Sequence, residues 1–70
     1  MTDGEKLREV IENSGISIAF IARKMDCSRN RIYAILNGAD CTASEILALA
    51  DILHLSIKDR NNIFLPINVN

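Results

Sequence analysis

The chain has 70 residues, of which 49% are hydrophobic, with a formal net charge of −1 and no Trp. That length supports one small core and no second domain, and a core poor in aromatics must be built from Ile, Leu and Ala. No apolar run is long enough for a membrane span, and "MTDGEKLREV" has no signal-peptide core, so a cytoplasmic protein without a membrane partner is expected.

Five short helices are expected in chain order. Leu7, Val10 and Ile11 outline the first, roughly 3–14, with Gly15 as its stop. Ser17 caps a second that carries Ile18, Ile21, Ala22 and Met25, and Asp26 breaks it. Ser28 caps a third, in which Ile32, Ile35 and Leu36 recur at helical spacing until Asn37-Gly38. Thr42 and Glu45 have capping-box spacing ahead of the strongly periodic "EILALADIL". Ser56 and Asp59 repeat that signal for a fifth helix, about 57–65, ended by Pro66. No segment has a strand pattern. The reading is an all-α bundle, with residues 1–65 as the domain and 66–70 as a C-terminal tail.

Charge is distributed unevenly. From Arg23 to Arg31 the chain carries Arg23, Lys24, Arg29 and Arg31 against Asp26, a balance of +3, and the remainder sums to −4. The second and third helices, joined by a short turn at Asp26, have the proportions of a helix-turn-helix. Asp is among the few residues other than Gly that visit left-handed backbone readily, as such a turn requires. Ala22 suits the close crossing of the two helices. With Ile32, Ile35 and Leu36 turned inward, the outward face of the third helix holds Arg29, Asn30 and Tyr33, with Ala34 and Asn37 beside them. Arg and Asn are the side chains best shaped to read guanine and adenine edges, and the helix N-terminus favours phosphate.

Residues of about 5–58 resemble the Cro/CI-like (XRE-type) helix-turn-helix family. "SIAFIARKM" is similar to S-Q-x-x-L-A-x-x-L, "CSRNRIYAILNG" to V-S-R-x-T-I-x-x-I-x-N-G, and "ILALADILHLS" to L-x-x-L-A-x-x-L-x-V-S. The run "TASEILALADILHLS" followed by "DRNNIFLPINV" looks like small, single-domain, prophage-encoded members. The resemblance implies a lambda-repressor-like bundle and a transcriptional regulator, usually a homodimer, bound to a double-stranded DNA operator. The recognition helix would be about 28–37. Arg29, Asn30, Tyr33 and Ala34 fall where the family reads bases. Ser28 and Asn37 fall near its phosphate contacts, and Arg31, Lys24 and Ser17 join that expected set.

Other features have plainer readings. Cys27, Cys41 and a lone His54 are too few and too scattered for a zinc site, so no metal is expected. His54 is expected to pack or to compensate the dipole at the end of the fourth helix. No nucleophile–base pair, phosphate loop or cofactor motif suggests an enzyme, a cofactor or a small-molecule ligand. The tail places Ile63, Phe64, Leu65, Ile67 and Val69 within seven residues. A monomer can cover Ile63 and one neighbour against the first helix, and the surplus points to a dimer interface. The acidic remainder and Ile18, which replaces the family's common DNA-binding Gln, keep open a second reading. That alternative is a protein-interaction module of the same fold, such as an antitoxin or antirepressor.

Overall fold

Each helix begins at a side chain that accepts a hydrogen bond from a backbone N–H otherwise lacking a partner. The computed structural model describes residues 2–64. Its helices are α1 (Gly4–Ser14), α2 (Ile18–Lys24), α3 (Arg29–Leu36), α4 (Ala43–Leu53) and α5 (Ile57–Phe64). Asp3, Ser17, Ser28 and Thr42 cap the first four, and the Ser56 hydroxyl accepts from Asp59 N–H at 3.0 Å. At Thr42 the capping box is complete, because the Glu45 carboxylate returns the bond to the Thr42 N–H. The all-α bundle and its helix-turn-helix are therefore present among the described residues. The Pro66 stop, the start of the tail, and Leu65, Ile67 and Val69 lie outside them.

Helix ends share one device. After α2, α3 and α4 the chain turns through a left-handed residue: Asp26 (φ 56°), Gly38 (φ 101°) and His54 (φ 55°). At each, the following N–H reaches five residues back: Cys27 to Ala22 at 2.9 Å, Ala39 to Ala34 at 3.0 Å and Leu55 to Ala50 at 2.9 Å. This is the six-residue Schellman closure, which satisfies carbonyls that the helix itself leaves open. Asp26 has the conformation its residue type suggested. His54 does not pack; it is exposed and serves as the left-handed closing residue of α4.

The core is aliphatic. Leu7, Ile21, Ile32, Ile35, Leu49 and Ile63 are fully buried, with Ile11, Ala22, Leu36, Leu53 and Phe64 around them. Met25 and Cys27 are partly buried at its edge. Ile63 and Phe64, grouped with a dimer interface in the sequence reading, are buried in this single-chain core, as the expected cover against α1 requires. The segment before α1 closes the bundle. Asp3 N–H donates to the Ile63 carbonyl at 2.7 Å, and the nearly buried Thr2 hydroxyl lies 3.7 Å from the Cys41 sulfur. Burial pushes the Cys41 thiol up from its ordinary value.

Candidate nucleic-acid interface

Helix α3 is divided lengthwise. Ile32, Ile35 and Leu36 are buried, whereas Ser28, Arg29, Asn30, Tyr33 and Asn37 are exposed. Tyr33 is 46% exposed, so its ring stands on the outer face and does not complete the core. Ala34, expected among the base readers, is half-buried at the margin of that face. Ala22, 4% exposed, lets α2 pass close to α3, and its carbonyl takes the Cys27 bond that sets the turn.

The N-terminus of α3 is polar and open. The Ser28 hydroxyl accepts from Arg31 N–H at 3.2 Å, so its capping role is met while it stays exposed. Ser17 occupies the same position on α2, accepting from Phe20 N–H at 3.0 Å. Lys24 is exposed on α2, with its ammonium 5.9 Å from the Phe20 ring centre and the Arg23 guanidinium at 5.7 Å. Phe20 is itself partly exposed, and the two cations lie within cation–π range of its ring.

Arg31, grouped in the sequence reading with the phosphate contacts, is half-buried and tied to other residues of the chain. Its Nε and Nη2 donate to the two carboxylate oxygens of Glu45, both at 2.8 Å, and Nη2 also donates to the Asp40 carbonyl at 2.9 Å. The adjacent guanidinium and the Thr42 N–H hold the Glu45 carboxyl down at about 2. The same pairing raises the Arg31 pKa. The capping-box spacing located Glu45, but nothing in the spacing indicated that Arg31 would share its carboxylate.

A family model described as Cro/C1-type HTH DNA-binding domain matches residues 6–60. The chain belongs to that family. No curated protein and no solved structure matches it. The matched span runs from within α1 into α5, so it takes in the entire helix-turn-helix of this Cro/C1-type domain. Among the described residues no three His, Cys, Asp or Glu side chains are grouped to hold a metal, and no helix is long and apolar enough to cross a membrane.

Proposed function

We propose that this protein is a sequence-specific, double-stranded-DNA-binding transcriptional regulator, a phage or prophage Cro/CI-like repressor without catalytic activity that works in the cytoplasm. The observation that carries this reading is the division of α3, whose buried side is aliphatic while its exposed side presents Arg29, Asn30 and Tyr33. In the major groove, Arg29 and Asn30 can each make a bidentate contact with a base edge. Ser17, Lys24, Ser28 and Asn37 surround that face and suit contacts to phosphate, which fix register without reading sequence.

One eight-residue helix spans few base pairs, and a homodimer would present two of them about 34 Å apart to successive major grooves. A groove of about 280 Å³ between α4 and α5, lined by Ala43, Ile46, Leu47, Arg60, Asn61 and Phe64, supports that assembly. Leu47 is 60% exposed there, and the chain runs on from Phe64 into the apolar residues of its tail. An uncovered apolar surface of this kind commonly marks an interface.

A salt titration tests the reading. Affinity for a random-sequence duplex should fall steeply and linearly on a log–log plot, and a site selected from random DNA should bind tighter at every salt concentration. A flat response would instead favour the protein-interaction module of the same fold.

A further inference from the structure

The Arg31–Glu45 pair has the geometry of a guanidinium bound to phosphate. Two parallel N–H groups meet two oxygens of one anion, each at 2.8 Å. Arg31 is the third residue of α3, two positions after Arg29, and 33% of its side chain is exposed, against 19% for Glu45. A cation at the edge of the basic face is thereby neutralised by an anion from another helix. Glu45 is secured independently of Arg31, since its Oε1 also accepts from Thr42 N–H at 2.9 Å and its own N–H donates to the Thr42 hydroxyl at 3.2 Å.

We propose that Glu45 is a positioning residue that acts through Arg31, holding its guanidinium off the DNA backbone and so lowering the sequence-independent part of DNA affinity. This rests on the DNA-binding reading above. The carboxylate occupies the Nε–Nη2 edge through which a guanidinium binds phosphate bidentately, and the Asp40 carbonyl takes a third of the five donors. Phosphate contacts carry no sequence information. Retaining one cation within the fold leaves binding weighted toward the base contacts of Arg29 and Asn30.

The test uses the full chain and a random-sequence duplex, followed by fluorescence anisotropy between about 50 and 200 mM salt. Glu45→Gln keeps the capping-box acceptor and removes the charge that holds Arg31. It should bind several-fold tighter at the low-salt end, with a slope steeper by about 0.9 per chain, the release expected for one more neutralised phosphate. In an Arg31→Gln background the same change should leave the slope where it was. Arg31→Gln alone should keep the wild-type slope, because the guanidinium does not reach the backbone in the wild type. A folded Glu45→Gln protein with the wild-type slope would overturn the proposal. So would an equal gain without Arg31, or a shallower slope for Arg31→Gln. If the wild type shows no salt-dependent affinity, the DNA-binding reading itself fails. If it binds and the variants do not separate, only the role of Glu45 fails.

Discussion

Gly4 lies directly against the carbonyl of Leu36, so closely that a Cβ at this position would collide with the backbone oxygen and carbon. The start of α1 is thereby seated on the end of the helix that carries Arg29 and Asn30. Gly4→Ala should force the two helices apart, costing about 1–3 kcal/mol as overpacking does. A thermal melt checks it: a Gly4→Ala variant melting at the wild-type temperature would show that the contact yields easily.

The left-handed closures give a prediction of opposite sign. Asp26 and His54 adopt a conformation that disfavours side chains by roughly 1–2 kcal/mol, partly offset by the greater unfolded-state freedom of Gly. Asp26→Gly and His54→Gly should therefore be neutral or stabilising by up to about 1 kcal/mol. Denaturant midpoints of the two variants measure it, and a clear loss at either site would mean that its side chain contributes more than the turn.

Acid should release the Arg31–Glu45 tie. Glu45 has its pKa lowered from 4.5 to about 2, so the native state binds fewer protons than the unfolded chain between those values. Its contribution to stability is complete above about pH 4.5 and is lost as pH falls toward 2. The difference in melting temperature between wild type and Glu45→Gln should be constant near neutrality and shrink through that window. A difference that persisted unchanged to the acid end would rule out the ion pair as its source.

On a selected operator, Arg29→Ala or Asn30→Ala should each cost about 1–3 kcal/mol and relax the preference at one base pair. Lys24→Ala should weaken all sequences alike. Competition binding with single-base operator variants distinguishes the two patterns. Normal recognition by Arg29→Ala would displace the proposed reading face.

Assembly can be tested without dismantling the core. Because Ile63 and Phe64 are buried in the single chain, a chain shortened after Phe64 keeps the core side chains, whereas one ending at Asn62 loses two of them. Sedimentation at micromolar concentration should show the full chain as a dimer and the chain ending at Phe64 as a folded monomer. A full chain that remains monomeric at high concentration argues against a preformed homodimer.

Much of the architecture was legible because its signals are local. Ser17, Ser28, Thr42 and Ser56 announce helix starts by residue type, and Asp26 announces a turn by being one of few residues suited to it. The outward face of α3 followed from the spacing of Ile32, Ile35 and Leu36 alone. What escaped depends on contacts between residues far apart in the chain. Gly4 looks like an ordinary residue near the N-terminus until Leu36 is set against it. Arg31 looks like one more basic side chain until Glu45 arrives from the next helix. His54 gave no sign of left-handed backbone, because His adopts it much less often than Gly. Ile63 and Phe64 were legible only in part: cover for Ile63 and one neighbour against α1 is expected and found, but an apolar run at a chain end does not itself say which of its residues fold inward.

The bond from Asp3 to Ile63 bears on how the protein emerges during synthesis. Residues 18–36, from the start of α2 to the end of α3, are contiguous, so the contacts between these two helices need no distant part of the chain. The stretch of chain before α1 must wait, because its partner Ile63 lies far along the sequence, several seconds behind at roughly 5–20 residues per second. Until then the sides of α1 and α4 that pack against α5 lack its cover, and the aliphatic core is incomplete.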